Sequence, residues 1–128
     1  MIVGVGVDIV EISRVRVMIA GKGERAIARL FTDGERRYAE SMANPARHFA
    51  VRIAAKEAAF KALSGSAEAR AIGWKEMEVV LDDLGRPSLV LHGRAEARAA
   101  EMKVARTWVS LSHADDVATA FVVLETAP

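Results

Sequence analysis

The first ten residues, MIVGVGVDIV, alternate: Val3, Val5, Val7 and Ile9 fall on one side of an extended chain, Gly4, Gly6 and Asp8 on the other. This predicts a strand with one branched face and one nearly bare face. Glycine weakens a strand interior, so its repetition predicts that another element packs close to the bare backbone. The period then changes. Ile12, Val15, Met18 and Ile19 recur at helical spacing, and Gly21 and Gly23 predict a break or bend. In FTDGERRYAESM, Thr32 with Glu35 three residues on forms a capping box and opens a second helix. In NPARHFAVRIAAKEAAFKALSG, Asn44 caps, Pro45 takes the first helical position and Gly65 is the expected terminator. This segment is the expected central helix.

The second half is richer in strands. MEVVLDDLGRPSLVLHG reads as two short strands joined around Asp83 to Gly85, and RAEARAAEMK as a short, charged, exposed helix. TWVSLSHADDVATAFVVLE reads as a second hairpin turning near Ala114 to Asp116. The order predicts an α+β fold, an antiparallel sheet packed against the long central helix, in a single domain over residues 1–128.

Composition narrows the classes. Hydrophobic residues at 52% and charged residues at 27% predict a globular rather than a disordered chain. A net charge of +1 gives no global attraction to nucleic acid or membrane, so any such argument must be local. Without cysteine there is no disulfide, thiolate metal site or cysteine nucleophile. No apolar run is long enough to span a bilayer. The N-terminus has no basic region ahead of an apolar stretch, so no secretory signal is expected, and a cytoplasmic protein is.

The central helix carries charge in an apolar setting. Glu57 and Lys61 are four apart and share a face, near Phe49, Ile53 and Phe60. Alanines at 54, 55, 58, 59 and 62 let another backbone approach, and the Gly4/Gly6 face is the natural partner. That packing would bring Asp8 beside Glu57. Two carboxylates together repel unless a cation joins them, and magnesium is typically held by one or two carboxylates plus substrate phosphates. Ordinary readings stand alongside: a solvated Glu–Lys pair contributing about 0.2–0.5 kcal/mol, a turn aspartate at position 8 and a structural His113. A different magnesium-dependent phosphate enzyme is open too, although GVGVD lies within a strand and is neither a Walker loop nor a dinucleotide fingerprint. So is a non-catalytic module that binds an acidic partner.

Taken together, GVGVDIVEISRV, FTDGE, RIAAKEAAFKAL, GRPSLVLHG and VSLSHADDVATAFVVLE resemble, in order and spacing, the holo-acyl-carrier-protein synthases, small bacterial 4'-phosphopantetheinyl transferases. The resemblance covers nearly the whole chain. It implies a 4'-phosphopantetheinyl transferase-like fold and transfer of the phosphopantetheine arm of coenzyme A to a serine of apo acyl carrier protein. Adenosine 3',5'-bisphosphate is released, Mg2+ is required and the protomers form homotrimers, in support of fatty acid biosynthesis. By position it implies Asp8 and Glu57 as metal carboxylates and Lys61 near the phosphates, all three catalytic. It implies coenzyme A contacts at Arg52, Lys61, Arg86, Pro87, Ser112 and His113. The basic first helix then acquires a use: Arg14, Arg16, Arg25 and Arg29 would steer in an acidic carrier protein.

Overall fold

The computed structural model describes the backbone of residues 1–128 and every side chain except that of Lys22. The alternating N-terminal segment forms β1 (Ile2–Glu11), which runs directly into α1 (Ile12–Leu30). Then come α2 (Asp33–Glu40) and α3 (Pro45–Ala62), followed by 3-10 turns at Glu68–Ala71 and Trp74–Glu76. The strands β2 (Met77–Leu81) and β3 (Pro87–Leu91), the helix α4 (Gly93–Glu101) and the long hairpin β4 (Val104–Ala114) and β5 (Val117–Thr126) complete the chain. The class is α+β, with an antiparallel sheet against the long α3.

The main sheet is antiparallel in the order β1-β5-β4. Across the β1–β5 ladder Asp8 faces Ala120 and Val7 faces Phe121. β2 and β3 do not join this sheet but pair with each other. β3 packs beside β4, and Thr107 Oγ1 donates to the Leu89 carbonyl at 3.2 Å.

The bare face of β1 meets α3. A methyl group added at Gly6 would run into the Ala58 carbonyl oxygen, and one at Gly4 into that of Ala62. On α3, Ala54, Ala55, Ala58 and Ala59 are fully buried, as are Val122 and Leu124 on the inner side of β5. The branched face of β1 points outward, leaving Val5, Val7 and Ile9 51%, 53% and 67% exposed.

Local chemistry explains the helix ends. Thr32 and Glu35 form the reciprocal cap of α2, and Asn44 caps α3 with Pro45 in its first turn. α3 stops at Ala62 rather than continuing to Gly65. The Leu63 amide donates to the Ala59 carbonyl and the Ser64 hydroxyl donates to the Lys61 carbonyl, so these carbonyls are satisfied before the glycine, whose φ is +117°. α1 bends at Gly23 (φ 43°, ψ −116°), and an Arg36–Glu24 ion pair ties the segment after the bend to α2. Its first turn is capped from the β4–β5 turn: the Ile12 amide donates to the Asp116 carbonyl, and the Ser13 amide and hydroxyl donate to the Asp116 carboxylate at 2.8 and 2.6 Å. α4 is not wholly exposed, because Ala95 and Ala99, four apart, bury one side. Among the described residues no helix is long and apolar enough to cross a membrane.

Candidate active site

The close fit of β1 on α3 brings Asp8 to Glu57 and Lys61. Asp8 is the next residue after Gly6 on the bare face, and Glu57 lies one position before Ala58, which Gly6 touches. The Asp8 backbone is held by Thr119, whose hydroxyl donates to the Asp8 carbonyl at 2.9 Å. Lys61 Nζ donates to Asp8 Oδ1 and to the Val7 carbonyl, each at 3.0 Å. The lysine therefore pairs across to β1 and not with Glu57 along its own helix. Glu57 is half-buried; burial first and the Asp8 carboxylate second push its carboxyl above the ordinary range, and Lys61 partly offsets them.

This site is short of positive charge. One ammonium serves two carboxylates, and the Asp8 charge adds to burial in raising the Glu57 carboxyl. No group of three or more His, Asp or Glu that could hold a metal occurs among the described residues. Two carboxylates leave most of a coordination sphere to phosphate oxygens and water, the usual arrangement for magnesium. The donor set fits that ion.

Three of the other expected contact residues converge further along α3. Arg52, Ser112 and His113 line a cavity of about 120 Å³ together with Tyr38, Arg47 and His48. Arg52 is only 3% exposed, and its guanidinium lies 4.5 Å over the Tyr38 ring while donating to the His48 carbonyl. The Nε atoms of Arg47 and Arg52 are buried without a hydrogen-bond partner among the described residues. Burial, then Arg52, Arg47 and His113, hold His48 below its ordinary pKa. Arg86 and Pro87 do not line this cavity. Arg86 is exposed in the β2–β3 turn, its amide bonded to Asp82, and Pro87 pairs with Leu81, which does line it.

The basic helix divides. Arg14, Arg25 and Arg29 line one groove of about 1300 Å³ with Val17, Met18 and Trp74. Arg16 lies off it and bonds Asn44 Oδ1 at 3.4 Å. A smaller cavity of about 200 Å³ adjoins Glu57 and is lined by Lys56, Phe60, Arg70, Ile72, Trp74 and Met77. Sequence reasoning missed Lys56, which is fully buried and paired with Glu35 at 2.8 Å. The available signal was its position, directly after Ala54 and Ala55 on the most apolar helix of the chain.

A family model for the 4'-phosphopantetheinyl transferase superfamily matches residues 4–122. The holo-[acyl-carrier-protein] synthase of Geobacter metallireducens is 44% identical over 125 residues, 98% of each chain. That of Anaeromyxobacter dehalogenans is 43% identical over 130 residues, covering 99% of this chain and 98% of its own. The crystal structure of the synthase from Neisseria meningitidis superposes with a TM-score of 0.86 at 28% identity, covering 98% of this chain and all of that one. The Bacillus anthracis synthase, solved in complex with CoA (3',5'-ADP), gives 0.79 at 32% identity and 99% coverage of both chains. The fold is that of a phosphopantetheinyl transferase. The chain belongs to the 4'-phosphopantetheinyl transferase superfamily and, within it, to the holo-[acyl-carrier-protein] synthase enzymes.

Proposed function

We propose that the protein transfers the 4'-phosphopantetheine arm of coenzyme A to a serine of apo acyl carrier protein, supporting fatty acid biosynthesis. The observation that carries this is the Asp8–Lys61 pair beside the raised Glu57 carboxyl. Asp8 and Glu57 are the residues that would hold Mg2+, which when bound neutralises charge on the pyrophosphate. The serine oxygen forms a bond to the β-phosphorus, and the bond from that phosphorus to the bridging oxygen breaks. Adenosine 3',5'-bisphosphate leaves with that oxygen. Glu57 accepts the serine proton, directly or through a water. Lys61 stabilises charge on the departing phosphate, and its half-exposed ammonium is free to turn from Asp8 toward an anion.

The 3'-phosphate of coenzyme A matches the cavity of Arg47, His48, Arg52, Ser112 and His113. Its oxygens would supply the partners that the two buried Nε atoms lack. Arg86 and Pro87 extend this contact from the hairpin beside Leu81. Arg14, Arg25 and Arg29 form the docking groove for the acidic carrier protein, while Arg16 adds charge from outside it. The apolar outer face of the sheet, with Val5, Val7, Ile9 and Phe121 exposed, is the surface for further copies in a homotrimer.

The test is direct. Incubated with coenzyme A, Mg2+ and apo acyl carrier protein, the enzyme is expected to raise the carrier's mass by one phosphopantetheine arm. Glu57→Ala and a chelator should each abolish the gain. No adduct on any carrier protein, with coenzyme A still bound, would overturn the reading.

A further inference from the structure

Two cavities share one wall. The basic groove along α1 and the cavity beside Glu57 both include Trp74 in their lining. Trp74 opens a 3-10 turn that packs against α1 on one side and reaches α3 on the other. That turn is held from below by Lys56, whose ammonium donates to the Trp74 carbonyl at 2.9 Å and the Met77 carbonyl at 2.6 Å while pairing with Glu35. At its far end Glu76 takes the Gly73 and Arg94 amides at 2.7 and 2.5 Å.

The chemistry above uses neither Trp74 nor Lys56. Yet Lys56 immediately precedes Glu57, so one side chain of α3 fixes the turn while the next residue lines the cavity that the turn helps to wall. Burying an ammonium completely is costly unless its partners are fixed in place. Here they are two backbone carbonyls and a carboxylate, each on a different segment from α3. Lys56 thereby ties the Trp74 wall of the groove to the helix that carries Glu57, beside the direct packing of α1 on α3.

We propose that Trp74 is the positioning residue for the acceptor protein, and that Lys56 holds it at a fixed offset from Glu57. A carrier protein docked in the groove must pass its serine by Trp74 to reach the carboxylate. The proposal rests on the carrier-protein reading of that groove.

The experiment separates the two. The Kd for apo acyl carrier protein is measured without coenzyme A or metal, so that it needs no turnover; carrier KM, kcat and the coenzyme A Kd follow. Trp74→Ala should weaken carrier Kd and KM by about tenfold and lower kcat, with coenzyme A affinity unchanged. Trp74→Phe should restore most of the loss. Lys56→Met with Glu35→Gln removes the charges together, and its melting curve establishes that it folds. With Trp74 intact, it should still reproduce the carrier defect. A folded Trp74→Ala enzyme with carrier Kd and KM within about twofold of wild type overturns the proposal, as does equal weakening toward coenzyme A. Wild-type protein that binds the carrier but never modifies it sinks the proposed function alone. Wild-type protein that does not bind it sinks both.

Discussion

Two lysine–carboxylate pairs lie close together on α3 in opposite surroundings. Lys56 and Glu35 are both fully buried, whereas the Lys61 side chain is 52% exposed and its partner Asp8 20%. A buried pair is fixed, because removing either member strands the other charge away from water. An exposed pair contributes little and can exchange partners at small cost. The helix thus carries a buried lysine, fixed by its partners, that organises the fold and a movable one that faces the proposed phosphates.

The sharpest way to break this comparison is to remove a carboxylate from the exposed site. Asp8→Ala is expected to lower kcat/KM by roughly 10³-fold or more while the melting temperature hardly moves; normal turnover would exclude the site. The buried pair should behave in reverse. Lys56→Ala leaves Glu35 uncompensated and should cost about 3–5 kcal/mol in a denaturant titration, against less than about 1 kcal/mol for Lys61→Ala. Lys61→Ala should instead lose roughly 10²-fold in rate. The smallest effect concerns Glu57. Its carboxyl is raised in the folded protein, so it favours folding when protonated, and that contribution is lost as pH rises through the folded value. Metal-free Glu57→Gln should therefore melt slightly higher than wild type at neutral pH, with the difference vanishing in acid. A lower melting temperature at neutral pH would contradict the assigned electrostatics.

Much of the scaffold is legible in short windows. Thr32 with Glu35, Asn44 with Pro45, and Gly23 bending α1 act over a few residues and do what their spacing predicts, while Gly21 stays helical. The meeting of Asp8 and Glu57 was readable because the bare strand face and the alanine stripe are complementary. Pairings across long separations were hidden. The i, i+4 rule pointed Lys61 at Glu57, while Asp8, 53 residues away, competes through the edge of β1. The partners of Lys56 are Glu35 and two carbonyls beyond the helix, and the alanine-rich pattern around that lysine hints at its burial without naming any of them. Where α1 turns its arginines was equally hidden, since Arg16 differs from Arg14 only in the neighbour that its angle around the helix selects.

The contact of Gly4 and Gly6 with the carbonyls of Ala62 and Ala58 has a consequence for redesign. The spacing of the strand of Asp8 from the helix of Glu57 is gauged mainly by main-chain atoms against main-chain atoms, and at Gly6 there is no side chain to yield. A methyl group at either glycine would act as a shim in that seam, shifting the strand that carries Asp8 against the helix that carries Glu57 without changing either carboxylate.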